Sequence, residues 1–166
     1  SATWPACAQI DDAPNGKLPR VNLSVKLSSL CARFDPLDPS TDSIVRERLR
    51  LLFREAAKLD AAITVDMEQY AFKDLTLEIF RVVLVEKEFS TAPRAAIALQ
   101  AYLREAERDV RELIRWAHRQ KRRIGVRLVK TKTSARAWDA KISSITENGP
   151  FNYTAVYADP TEIGQD

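Results

Sequence analysis

Four short apolar runs punctuate the chain, and between them hydrophobic residues recur at helical rather than alternating spacing. The runs cover residues 21–27, 62–67, 95–101 and 124–130. From Val25 to Val65, to Ala98 and to Arg127 the intervals are 40, 33 and 29 residues, each long enough for one strand and one crossover helix. After Pro39, Ile44, Leu49, Leu52, Phe53, Ala56 and Leu59 share a helical face, with Ser40 or Asp42 available as N-cap. A second helix is expected from about Asp74, with Leu77, Phe80 and Leu84 inward. A third, from about Arg104, repeats Ala106, Val110, Leu113, Ile114 and Ala117, and its charged remainder is expected to face water.

Strand, helix, strand in this rhythm predicts an α/β fold with a parallel sheet, because right-handed crossovers lay helices over nearly continuous apolar strands. The period does not separate a doubly wound sheet from a segment of a (β/α)8 barrel. A dinucleotide-binding sheet would place a glycine-rich turn after its first strand, but only four glycines occur and none forms G-x-G-x-x-G. No phosphate-binding P-loop sequence is present.

Composition narrows the class. In 166 residues, 45% are hydrophobic and 30% charged, and no apolar run approaches the roughly 20 residues needed to span a bilayer, so a soluble domain is expected. No signal-peptide pattern opens the sequence, and a cytoplasmic location is expected. Cys7, Cys31 and His118 are the only cysteines and histidine, which supports neither a zinc site nor a disulfide framework. The net charge of +3 is uneven: residues 1–130 carry 23 Lys/Arg against 18 Asp/Glu, and residues 131–166 carry 3 against 5.

Each run ends in polar or ionisable residues: Lys26 with Ser28, Asp66 with Glu68, Gln100 with Tyr102, and Arg127 with Lys130. Charges at strand ends are commonly just solvated or paired with neighbours. Four successive strands ending alike point further, because the C-terminal rim of a β/α barrel is where such enzymes hold their chemistry. Adjacent ends are expected to pair Lys26 with Asp66 and to set Gln100 beside Arg127. A floor of mixed sign suits a zwitterionic substrate and a polar cofactor ring.

Val25-Lys26-Leu27-Ser28, Thr64-Val65-Asp66-Met67-Glu68-Gln69-Tyr70, Leu99-Gln100-Ala101-Tyr102-Leu103 and Val126-Arg127-Leu128-Val129-Lys130 together resemble the proline dehydrogenase family, in its order and at its spacing. The similarity extends over roughly residues 18–130. It implies a distorted (β/α)8 barrel that binds FAD and oxidises L-proline to pyrroline-5-carboxylate by hydride transfer to the flavin. By this resemblance Lys26 lies near the substrate carboxylate and Asp66 is the strand-end acid beneath the active site. Gln100 hydrogen-bonds the flavin ring, Arg127 lies beside its N5 edge, and Lys130 sits near the same rim as a further cofactor residue. An arginine there tunes flavin electronics, and a lysine complements a carboxylate.

The pattern departs from the family after Lys130, where Thr131-Lys132-Thr133-Ser134 stands in place of the expected strand continuation. Matches to the family's substrate-contacting tyrosine, later strands and carboxylate-clamping arginines are missing. The expected organisation is therefore a lead-in over 1–20, a partial barrel of about four parallel strands over 21–130, and a divergent tail over 131–166. Residues 141–158 suit a hairpin about Asn148-Gly149, a cover for an open sheet edge, or a disordered tail. The resemblance implies an incomplete form of the enzyme, weak in FAD binding and turnover alone. The alternative is a non-catalytic module that keeps half of the barrel and is completed by a partner or a homodimer. The basic run from His118 to Arg123 lacks stacking aromatics and sits where a helix C-terminus favours cations, so nucleic-acid binding is not expected.

Overall fold

The computed structural model describes residues 12–13, 16–17, 21–90, 94–130 and 152–157. In the lead-in, β1 (Asp12–Ala13) and β2 (Gly16–Lys17) form a minimal antiparallel ladder. The main sheet comprises β3 (Asn22–Lys26), β4 (Ala62–Asp66), β5 (Arg94–Gln100), β6 (Gly125–Lys130) and β7 (Asn152–Tyr157), adjacent in chain order and all parallel. The four apolar runs are thus the first four strands of this sheet. The fifth comes from the tail, where Asn152–Tyr157 lies along the β6 edge in register from Gly125↔Asn152 to Lys130↔Tyr157. The other arm of the expected hairpin lies outside the described residues.

Three helices connect the first four strands: α1 (Pro39–Lys58), α2 (Lys73–Leu84) and α3 (Ala106–Arg119). Asp38 caps α1, its carboxylate accepting from the Ser40 amide at 2.8 Å. This corrects the expected cap at Ser40 or Asp42, and Pro39 is the reason. Its ring fixes a helical φ and needs no N–H partner at the first helical position, while it holds the residue before it extended, which is the conformation of an N-cap. Leu59 also departs from expectation. It follows the last turn of α1 and is 74% exposed.

Helices α1 and α3 end alike. Asp60 and Lys121 have positive φ, 48° and 53°, and the next amides, of Ala61 and Arg122, each donate to a carbonyl in the last helical turn, Ala56 and Ala117, at 2.9 Å. This left-handed stop satisfies orphan carbonyls and turns the chain directly into the following strand.

Period-two alternation divides the faces of the sheet. Val25, Ile63, Val65, Ile97, Leu99, Val126 and Leu128 join one buried cluster with Leu49 and Phe53 of α1, Leu77 and Phe80 of α2, and Val110, Leu113 and Ala117 of α3. Phe53 and Phe80 are fully inaccessible, and burying each contributes about 2–3 kcal/mol. Ala62, Thr64 and Ala98 are also buried but lie outside that cluster, on the opposite face. Along α1, Arg46, Arg50 and Arg54, one per turn, pair with Glu78, Glu86 and Glu88 and fasten α1 to α2 and the segment after it. Among the described residues no helix is long and apolar enough to cross a membrane.

Candidate functional site

The register aligns the strand ends. Lys26 is paired with Asp66, Ala98 with Arg127 and Gln100 with Val129, so Lys26, Asp66, Gln100 and Arg127 lie at one end of the sheet and, by alternation, on the face turned away from the helices. Lys130 ends β6 at the same end but alternates with Val126 and Leu128 on the helix-covered face, where it is fully buried. The structure therefore brings four of the five expected residues to one surface and sets Lys130 behind it.

Their pairing differs from the expectation. Asp66 bonds Arg127 rather than Lys26, through Nη2 and Oδ1, and the Nη1 of Arg127 donates to the Ser24 hydroxyl at 3.3 Å. Two strands of spacing, roughly 10 Å, separate β6 from β4. A guanidinium covers that span because the intervening position carries only the methyl group of Ala98. The contact with Ser24 on β3 further requires that the sheet curl toward this face. Lys26 is exposed at the end of the same row. Gln100 likewise engages the loop after β4 rather than Arg127: its Nε2 donates to the backbone carbonyl of Glu68 at 2.8 Å. With the amide nitrogen so held, the Oε1 is presented as an acceptor.

Two residues of the rim do more than their strand-end position indicated. Glu68 accepts both the amide of Ser28 (3.1 Å) and its hydroxyl (2.7 Å), joining the loops after β3 and β4. Ser24 stands two positions before Lys26, and strand alternation is the signal that places it on the same face. Across these two loops Phe34 and Phe72 meet edge to face with ring centroids 4.7 Å apart. Two residues beyond Gln100, burial raises the Tyr102 phenol above its usual range, so it remains protonated at neutral pH.

Behind the rim, Lys73 at the start of α2 and Asp109 in the first turn of α3 form an ion pair at 2.7 Å, each side chain 5% exposed. Asp74 adds a second, exposed carboxylate to the ammonium at 2.8 Å. Burial is the largest influence on Lys73 and opposes its charge, but the hydrogen bonds and charges of Asp109 and Asp74 outweigh it and raise its pKa. Met67, Leu99, Gln100 and Leu103 surround the pair.

On the polar face the Nε of Arg127 is buried without a hydrogen-bond partner. A buried donor left open costs on the order of 1–3 kcal/mol, so this wall has an unfilled demand for an acceptor. Residues 2–131 match the sequence model of the proline dehydrogenase family. The chain belongs to that family. The match takes in the lead-in as well as the span of the strand-end motifs. Among relatives, proline dehydrogenase 1 of Bacillus subtilis strain 168 is 34% identical over 91 residues, which are 55% of this chain and 26% of that protein. The bifunctional protein PutA of Escherichia coli K12 is 28% identical over 134 residues, 79% of this chain and 10% of that one. In space, the chain is similar to proline utilization A from Bdellovibrio bacteriovorus, a crystal structure inactivated by N-propargylglycine, with a TM-score of 0.72 and 34% identity over 86% of this chain and 15% of that one. The chain thus spans about a quarter or less of the curated relatives it matches. Its parallel strands and crossover helices correspond to part of a proline dehydrogenase barrel.

Proposed function

We propose that the polar rim is the flavin-facing wall of a proline dehydrogenase site, at which L-proline is oxidised to pyrroline-5-carboxylate. The observation that carries this reading is the placement of Arg127: in a chain of this family, its guanidinium lies across the polar face, bonded to Asp66 and Ser24, with its Nε still open. The donor set fits FAD. An open guanidinium donor suits a ring nitrogen or carbonyl, and the Oε1 of Gln100 suits a ring N–H. When bound, FAD supplies the hydride acceptor. Arg127 orients the ring and offers positive charge to it, and Asp66 holds Arg127 in place. Lys26, exposed at the row's end, is directed to the carboxylate of proline. Lys130 lies on the other face, and we assign it no contact with the ring. With only two cysteines and no disulfide framework, the cytoplasm is the compartment we assign.

Flavin binding tests this reading, with visible circular dichroism and flavin fluorescence followed as FAD is titrated into the chain. Binding is expected, with affinity about tenfold or more lower in Arg127→Ala, the scale of one lost charge-assisted hydrogen bond. Anaerobic addition of L-proline is then expected to bleach the bound flavin slowly or incompletely, because the chain spans only part of its relatives' length, and D-proline is not expected to bleach it. An FAD affinity indifferent to Arg127→Ala overturns the assignment.

A further inference from the structure

We infer that Glu68 is a positioning residue that locks the ends of three successive strands into one piece, and that the orientation of Gln100 depends on its carboxylate. The proposal rests on the flavin-site reading for its functional meaning but not for its geometry. Glu68 lies two residues past the end of β4. Its carboxylate takes two hydrogen bonds from Ser28, from the amide at 3.1 Å and from the hydroxyl at 2.7 Å, just past the end of β3. Its own backbone carbonyl accepts from the Gln100 side chain at the end of β5, at 2.8 Å. One residue thus bonds leftward through its side chain and rightward through its main chain.

These bonds differ in what they require. The carbonyl of residue 68 exists whatever the side chain, but its aim depends on where the loop after β4 is held. The described contacts that tie this loop to the one after β3 are the two Ser28 bonds and the edge-to-face pair of Phe34 and Phe72. An aromatic contact resists separation but is tolerant of sliding. A carboxylate receiving two donors from a single residue fixes both direction and distance. Removing the carboxylate therefore frees the loop to shift, and Gln100 loses its carbonyl although no atom of that carbonyl has been altered. A rotated Gln100 amide would present a donor where the site offers an acceptor, and displacements of this size cost orders of magnitude where a reacting ring must be held.

The experiment is nuclear magnetic resonance of the chain without added cofactor, following the Ser28 backbone amide and the Gln100 side-chain amide in Glu68→Ala, Glu68→Gln and a control, Glu47→Ala, an exposed carboxylate on α1. In Glu68→Ala, solvent exchange of the Ser28 amide is expected to accelerate about tenfold or more, and the Gln100 side-chain protons about fivefold, with shifted resonances. Glu68→Gln keeps one acceptor, enough for the Ser28 hydroxyl, and is expected to fall between wild type and alanine at both probes. The control leaves both unchanged. Loss of Ser28 protection with Gln100 as in wild type would reduce Glu68 to a local cap and overturn the proposal, as would no change at either probe. Should Glu68→Ala fail to fold, Glu68→Gln decides by the same comparison. Failure of the flavin-site reading appears separately, as absence of FAD binding by the unsubstituted chain.

Discussion

The side chain of Arg127 on β6 crosses β5 above Ala98 to reach the carboxylate of Asp66 on β4. Neither partner could hold the other if β5 carried a larger residue at that point. The pair also explains why Lys26, the register partner of Asp66, is left to solvent: the planar fork of arginine makes two directed bonds from one group, to Asp66 and Ser24, whereas an ammonium is a flexible point charge. An ion pair between strands two apart thus depends on the small size of the alanine between them.

The first prediction follows from that passage. Ala98→Leu is expected to push the guanidinium off Asp66 and to cost about 1–3 kcal/mol through overpacking. Ala98→Gly keeps the passage open and should cost only about 0.5–1 kcal/mol through chain entropy. Urea denaturation measures the stability of each, and FAD titration measures the site. Loss of binding in the leucine variant with retention in the glycine variant is the expected pattern. Equal binding in both would show that Ala98 does not set the position of Arg127.

Asp66→Asn probes the same pair from the other end. The amide keeps the shape and one acceptor but removes the charge, leaving Arg127 with Ser24 and a weaker partner. Hydrogen bonds to charged groups contribute about 1.5–3 kcal/mol, and a loss at the lower end of that range is expected, since both side chains retain some solvent. Thermal unfolding followed by circular dichroism checks it; an unchanged midpoint would show that the ion pair adds nothing to the fold.

Much of this architecture is legible in the sequence because two signals agree. Short apolar runs mark the strands and helical spacing marks the helices, so Leu77, Phe80, Val110 and Leu113 are expected inward and are buried. What resisted reading were partners rather than positions. Strand-end residues could be placed on a common rim, but which of Lys26 and Arg127 would take Asp66 depended on the small size of Ala98 and on sheet curvature, which no local pattern encodes. Leu59 was misplaced because periodicity does not mark where a helix stops, while the left-handed Asp60 does. The buried pair of Lys73 and Asp109 does leave a trace in the sequence. Lys73 stands on the stripe of Leu77, Phe80 and Leu84, and Asp109 falls beside Val110 on the stripe of Ala106 and Leu113. Opposite charges on the apolar stripes of consecutive helices are a signal for a buried ion pair.

Lys121 offers a stabilising substitution. A lysine at φ 53° meets the Cβ clash that makes the left-handed region unfavourable for residues other than glycine. Glycine relieves it but loses more chain entropy on folding, so Lys121→Gly is expected to gain a net of about 0.5–1 kcal/mol. Urea denaturation should show a higher midpoint with an unchanged slope. A lower midpoint would mean that the lysine side chain makes contacts worth more than the strain it bears.

Alkaline pH should separate Lys73 from the surface lysines. Its pKa lies above the 10.5 of a solvated lysine, because Asp109 and Asp74 together outweigh the opposing effect of burial. The folded chain therefore holds this proton more tightly than the unfolded chain does. The resulting stabilisation is complete below about pH 10.5, the unfolded value, and is lost as pH rises through the folded pKa. Asp109→Leu alone strands an ammonium with only the exposed Asp74, and a cost of about 3 kcal/mol, the low end for breaking a buried pair, is expected at pH 7. Replacing both partners, Lys73→Met with Asp109→Leu, removes the charges along with their desolvation penalty and should restore most of that loss. Denaturation at pH 7 and pH 11 then distinguishes the three proteins. Wild type is expected to lose more stability between the two pH values than the double variant, whose apolar pair has no proton to release; an equal loss in both would mean that Lys73 is not anchored by Asp109.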